Sequence, residues 1–223
     1  MNSYHLKLIA IITMLIDHTG AVLVPSNTML YLIMRCIGRL SFPIFVFLLV
    51  EGFHHTKDVK KYLLRMGAFA LISEIPFDLA FDGKVLEFNH QNIFFTLFLG
   101  LLCMYLMSEV EKKYKNNILI MNLLNALLTL IIGFIALIMK TDYDYRGILL
   151  IVAFYLFRGS KLLRGFSLLF VSGFLLGYIN IYATVSIIPI SCYNGQKGKS
   201  IKYAFYIFYP AHLLILAGIN MLF

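Results

Sequence analysis

Nine apolar stretches follow one another along the chain, at about 6–25, 29–53, 61–81, 91–110, 117–139, 146–158, 162–177, 179–192 and 202–222, with short polar connections between them. A water-soluble globule of 223 residues has too little interior to hide that much apolar surface, whereas a bilayer accepts it as helices of about 20 residues. With 61% hydrophobic and 13% charged residues, the chain is expected to be all-α: a polytopic helical membrane protein with about nine transmembrane segments, multi-pass in the cytoplasmic membrane. No connection is long enough for a soluble domain, so 1–223 is expected to form a single integral-membrane domain. The sixth, seventh and eighth stretches are short and punctuated by Gly165, Gly173, Gly177 and Pro189, which predicts a region that is kinked, re-entrant or buried in the bundle. The first stretch lacks a small-residue cleavage site and reads as a spanning helix, not a removable leader. There is no internal repeat.

A formal net charge of +8 raises the question of nucleic acid, but the basic residues form short clusters between apolar runs and not one patch, so no nucleic-acid partner is expected. On a nine-span alternation, fourteen of them fall on one side: Lys7, Lys57, Lys60, Lys61, Arg65, Lys112, Lys113, Lys115, Arg158, Lys161, Arg164, Lys197, Lys199 and Lys202. Three fall on the other, Lys84, Lys140 and Arg146, each with acidic neighbours. The excess predicts a cytoplasmic N-terminus and Phe223 outside. Cys36, Cys103 and Cys192 are odd in number and widely spaced, and read as small apolar residues without a disulfide or metal framework.

Ionisable residues inside the apolar stretches are the candidates for function, because each costs roughly 2.5–3.5 kcal/mol to place in hydrocarbon. Asp17 and His18 sit deep in the first stretch; a buried structural pair is the other reading of the same two residues. Arg35 and Arg39 share one helical face of the second stretch, and Glu74 and Asp78 one face of the third, at matching depths. This predicts a two-rung ladder, Arg35 with Asp78 and Arg39 with Glu74, walling a cavity beside His18. Pro43 and Pro76 are expected to kink their helices. Glu51, His54 and His55 read as a solvated helix end. His90, Gln91 and Asn92 open the fourth stretch where an outer substrate would arrive, or are simply a polar helix start. Asp142 and Asp144 form an acidic outer loop. The last third adds the Gly-interrupted basic loop YNGQKGKS at 193–200 and, in the terminal stretch, Tyr209, Pro210 and His212 at about the depth of Asp17.

LKLIAIITMLIDHTG, RCIGRLSFPIFVFLLVEGFHHT, KYLLRMGAFALISEIPFDL, NIFFTLFLGL and the terminal YNGQKG and YAFYIFYPAHLLIL together resemble the TraX family over nearly the whole chain. That resemblance implies a membrane enzyme of the type that N-acetylates F pilin, within the wider transmembrane acyltransferase superfamily. The superfamily commonly carries an Arg, ten residues and then a His in its first helix; here Lys7 and His18 have that spacing, with Lys in place of Arg. Acetyl-CoA is then the implied co-substrate, with Lys7, Lys197, Lys199 and Arg164 meeting its phosphates and no metal expected. His18 is the implied base or acyl acceptor, accompanied by Asp17 and His212. Arg35, Arg39, Glu74, Asp78, Asn92 and Tyr209 would line the cavity, Arg39 or Asn92 facing the developing oxyanion. The acceptor, reached from the outer side, would be a pilin-like N-terminus, an amino sugar or an envelope glycan. Two other classes remain open: a proton-coupled small-molecule transporter, and a non-enzymatic envelope or pilus assembly protein.

Overall fold

The computed structural model describes residues 1–199 and 202–222, and the side chains of these except 202–205. Ser200, Phe223 and the side chain of Lys202, on which the loop and orientation readings partly drew, lie outside the described residues. The described chain is all-helical: α1 (Ser3–Leu23), α2 (Met29–Gly38), α3 (Ser41–His55), α4 (Val59–Phe81), α5 (Ile93–Lys113), α6 (Ile118–Ile138), α7 (Asp144–Leu156), α8 (Lys161–Phe170), α9 (Ile187–Ser191) and α10 (Lys202–Asn220). A π-helical turn at Val171–Leu175 and a 3₁₀ segment at Tyr178–Ser186 join α8 to α9.

Side-chain caps fix where helices begin. Asn2, Thr28, Asp58, Asn92, Asn117 and Ser160 each accept a hydrogen bond from a free first-turn backbone N–H. The second apolar stretch is not one bent helix, as expected, but two. Pro43 has no N–H to offer the Arg39 carbonyl, so the ladder ends there and Pro43 sits in the first turn of α3, where a missing donor costs nothing. Pro76 and Pro210 do lie inside helices, α4 and α10.

Among the described residues, four helical stretches are long and apolar enough to cross a bilayer: Ser3–Leu23, Met29–His55, Ile93–Lys113 and Ile118–Ile138. α7, α8 and α9, at 13, 10 and 5 residues, are each shorter than the roughly 20 residues that reach across hydrocarbon. Gly177, at φ 92°, makes a break in the chain between the π turn and the 3₁₀ segment that a residue with a Cβ adopts only with strain. The outer faces are greasy. Leu119, Leu123, Leu127, Leu130, Phe134 and Ile138 run down one side of α6, each at least half exposed, a stripe that water would not tolerate and lipid does.

The larger of two apolar clusters gathers Leu6, Ala10 and Met14 of α1 with Phe47 and Val50 of α3, Phe94 and Leu101 of α5, Phe154 of α7 and Leu213 of α10, and a smaller one joins α5, α6 and α7 through Leu99, Cys103, Ile132 and Ile148. α2 lies unusually close to α1. A Cβ on Gly38 would collide with the Asp17 side chain, and one on Gly20 would come within 2.8 Å of the Met34 Cβ, so glycines set this approach.

At one end of the bundle, the N-terminus is clasped by the loop after α9: the Met1 ammonium donates to the Cys192 carbonyl at 2.6 Å, and the Ser3 N–H to the Gln196 carbonyl at 2.9 Å. At the other end, Gln91 N–H donates to the Lys140 carbonyl at 3.0 Å, and Asp142 N–H to the Gln91 carbonyl at 2.9 Å. The Thr96 hydroxyl donates to the Asp142 carbonyl.

Candidate functional site

Because α2 packs on α1 at the glycine contact, its two arginines reach Asp17 and not α4. Arg35 Nη1 lies 2.7 Å from Asp17 Oδ2, and Arg39 Nη2 lies 2.8 and 2.9 Å from the two carboxylate oxygens. Arg39 Nη1 also donates to the Tyr143 hydroxyl at 3.3 Å, and that ring stacks on Phe42 with centroids 3.8 Å apart. The predicted ladder is therefore replaced by a three-membered ion cluster on Asp17. Glu74 instead accepts from Asn92, through its backbone N–H at 3.2 Å and its amide, and the same amide donates to the Ala70 carbonyl at 2.8 Å. Those two bonds use both amide hydrogens of Asn92. Asp78 accepts from the Glu87 N–H at 2.7 Å. The direction in which each pair faces around its helix decided the partners.

His18 and His212, 194 residues apart, meet ring to ring: His18 Nδ1 is 2.7 Å from His212 Nε2, with the rings nearly parallel at 8°. His212 Nδ1 lies 2.7 Å from the Phe208 carbonyl one turn earlier in α10. A carbonyl only accepts, so that nitrogen carries the hydrogen. In neutral His212, Nε2 is then the acceptor, and His18 must place its own hydrogen on Nδ1. By this assignment the lone pair of His18 falls on Nε2, which has no hydrogen-bond partner among the described residues. Phe81 and Tyr209 stand edge-on to the His18 ring, at 5.4 and 5.9 Å.

A series of cavities runs from the N-terminal end of the bundle toward Tyr209. The mouth, about 330 Å³, is lined by Lys7, Arg65, His55 and Lys197 with Tyr62 and Tyr206. It adjoins a narrower space of about 140 Å³, with which it shares Lys7, Leu48, Gly52, Tyr62 and Tyr206. That space in turn shares Phe45, Phe94 and Leu97 with a small apolar void ending on Tyr209 and Met14. Polar residues crowd the mouth and apolar ones the throat.

A second cavity at the same end, about 590 Å³, lies against the mouth and shares Glu51, Tyr193 and Gly195 with it. Sequence reading treated Glu51 and His54 as a solvated helix end. Glu51 is instead buried and paired with Arg158, whose Nε lies 2.7 Å away, whereas His54 and His55 are exposed as expected, the His54 ring stacking on Tyr155 at 8°. An acidic residue in a helix end otherwise surrounded by cations was the available signal. Of the four residues expected to meet phosphates, Lys7 and Lys197 line the mouth, Arg164 lines the second cavity, and Lys199 is exposed on the loop beyond.

The opposite end carries a cleft of about 430 Å³ lined by Arg39, His90, Asp142, Tyr143, Asp144 and Arg146, among others. His90 and Asp142 pair at 3.7 Å, which holds the imidazole pKa above its ordinary value. Lys140, Tyr143 and Asp144 all adopt left-handed backbone, at φ 51°, 64° and 42°, a local strain of the kind stored at functional sites.

Compared with known proteins, residues 3–220 match the sequence family described as TraX protein. A relative in Dichelobacter nodosus, described as "Probable fimbrial assembly protein FimC, serogroup H1", is 31% identical over 236 aligned residues, covering 99% of this chain and 96% of its own. No solved structure gives a significant match.

Proposed function

The chain belongs to the TraX family, and on that premise we propose that it is a membrane-embedded acetyltransferase. It moves an acetyl group from cytoplasmic acetyl-CoA to an amine or hydroxyl reached from the outer side. The observation that carries the reading is the His18 lone pair, left on Nε2 by the relay to His212 and the Phe208 carbonyl, on a ring 5.9 Å from that of Tyr209, where the throat that starts at Lys7 ends.

In this reading the Lys7 end is cytoplasmic, as its excess of basic residues favours, and the protein resides in the cytoplasmic membrane. All nine apolar segments belong to the membrane-embedded body, with α7 to α9 as its short members. The donor's diphosphate sits with Lys7, Arg65 and Lys197, and its pantetheine arm lies in the throat. Eleven helical steps from Lys7 to His18 span about 16 Å, the scale of that arm. The acceptor enters by the cleft at Arg39 and Asp142.

His18 Nε2 takes the acceptor's proton as its nitrogen or oxygen attacks the thioester carbonyl; the tetrahedral intermediate then expels CoA, whose sulfur regains the proton from His18. If His18 attacks first, the same lone pair forms an acetyl-imidazolium as the thioester C–S bond breaks and CoA leaves as thiolate; the acceptor then attacks the acetyl carbon, the C–N bond to His18 breaks, and the acceptor's proton passes to the thiolate. Arg39, with one Nη1 hydrogen beyond its bonds to Asp17 and Tyr143, is the cation assigned to the oxyanion. A pilin-like N-terminus is the acceptor that suits a relative named for fimbrial assembly; an amino sugar or envelope glycan would use the same chemistry.

Acetyl-CoA at about a millimolar should raise the unfolding temperature of the purified protein, because a ligand bound only by the folded state stabilises it by mass action. Lys7→Ala should weaken that effect without loss of the fold. Silence of both CoA and acetyl-CoA would favour the proton-coupled transporter or the non-enzymatic assembly protein, neither of which needs this ligand.

A further inference from the structure

The 590 Å³ cavity beside the mouth holds cations that the donor's diphosphate does not use. Arg158 is already neutralised by Glu51, which receives both its Nε at 2.7 Å and its Nη2 at 3.4 Å. Arg164 is different. It is only 8% exposed, its guanidinium lies over the Phe47 ring at 5.2 Å, its Nε is buried without a partner, and no carboxylate lies within ion-pair distance of it among the described residues. A buried guanidinium in that state is costly unless an anion completes it. Lys161, three residues earlier at the start of α8, lines the same cavity and spends one of its three hydrogens on the Ser191 carbonyl at 2.8 Å. Both residues also lie in the first turn of α8, whose dipole favours an anion. Glu111, also in the lining, has its Oε2 taken by the Tyr155 hydroxyl at 2.8 Å.

Two cations without carboxylate partners match one phosphomonoester, which carries about −1.5 to −2 at neutral pH. CoA has such a group, the 3′-phosphate of its ribose, set apart from the diphosphate. The two cavities are set apart in the same way, divided by the shared wall of Glu51, Tyr193 and Gly195. Building on the donor reading above, we infer that the second cavity takes the 3′-phosphoadenosine end of CoA, with Arg164 and Lys161 on the 3′-phosphate. The nearly parallel rings of His54 and Tyr155 give that cavity a flat aromatic wall for the base. Gly195, at φ 78°, lets the backbone turn between the two compartments where a side chain would project.

The test compares CoA with 3′-dephospho-CoA, which keeps the diphosphate and pantetheine and lacks only the phosphomonoester. Full-length protein in lipid nanodiscs should bind CoA at least about tenfold more tightly, the worth of one or two hydrogen bonds to a charged group. Arg164→Gln and, separately, Lys161→Gln should bring that ratio toward one while dephospho-CoA affinity stays as in the parent. Lys161 is solvent-facing enough for its variant to remain informative if Arg164→Gln fails to fold. Equal affinity of the parent protein for both nucleotides, or an equal loss of both in the Lys161 variant, overturns the inference and leaves the donor reading standing. Failure of the parent to bind either nucleotide overturns both.

Discussion

Replacing His212 separates the base from the group that orients it. As placed, His212 Nε2 accepts the His18 Nδ1 hydrogen at 2.7 Å. When His18 takes up a proton on Nε2, that bond becomes one from a cation, worth about 1.5–3 kcal/mol. At about 1.36 kcal/mol per decade of rate, His212→Ala should lower turnover by about 10- to 150-fold. His18→Ala removes the lone pair itself and should cost more, about 10²–10⁴ for a general base and beyond that for a covalent one. His212→Gln, whose amide oxygen can also accept from His18, should recover part of the loss. The assay is CoA release from acetyl-CoA by protein in nanodiscs, with an N-terminal acceptor peptide, followed across pH. A positioning role for His212 moves the pH limb and kcat and leaves the KM for acetyl-CoA in place. The assignment is refuted if His18→Ala turns over near-normally while His212→Ala is dead, since α10 would then carry the base.

Asp17→Asn strands two guanidiniums and should destabilise by about 3–5 kcal/mol, whereas Asp17→Asn with Arg39→Gln should lose less than the sum of the two alone. By the same reasoning Arg39→Ala and Glu74→Ala, which share no contact here, should be additive in thermal unfolding. On the opposite face, Asp142 raises the His90 pKa, so the folded protein holds that proton more tightly than the unfolded chain. The resulting stabilisation is complete below the ordinary histidine value, about 6.5, and fades as pH rises through the higher folded value. His90→Gln should flatten unfolding temperature against pH across that window, and an unchanged profile would remove the pair from the account.

Much of this protein is set by local sequence. Runs such as Ile118–Ile138 have no stable place but a bilayer, and a single Asn, Thr, Asp or Ser before each of several helices fixes where the helix starts. Lys7 and the basic residues that follow the second, fourth, sixth and eighth apolar stretches gather at one end because charge is excluded from hydrocarbon whatever the packing. Asp17 and His18 stand out for the same reason, and the family blocks are legible because they are contiguous strings.

Partner choice was not local. Sequence spacing puts Arg35 and Arg39 on one helical face, but whether that face meets Asp17, Glu74 or Asp78 depends on the rotation of one helix against its neighbours. Gly38 decided it, by letting α2 come so close to α1 that Asp17 lies between the two arginines. The break at Arg39 follows from Pro43, yet whether a proline bends a helix or starts a new one depends on what the freed carbonyl meets. His212 is 194 residues from His18, and only the docking of α10 alongside α1, both starting from the Lys7 end, turns two isolated histidines into a relay with a defined tautomer. Burial of Glu51, and the division of the basic residues between two cavities, likewise depend on how α3, α8 and the 193–197 loop converge. Hydrophobic partition acts residue by residue and is written in the string; the direction of a side chain around its helix is fixed by contacts between distant segments.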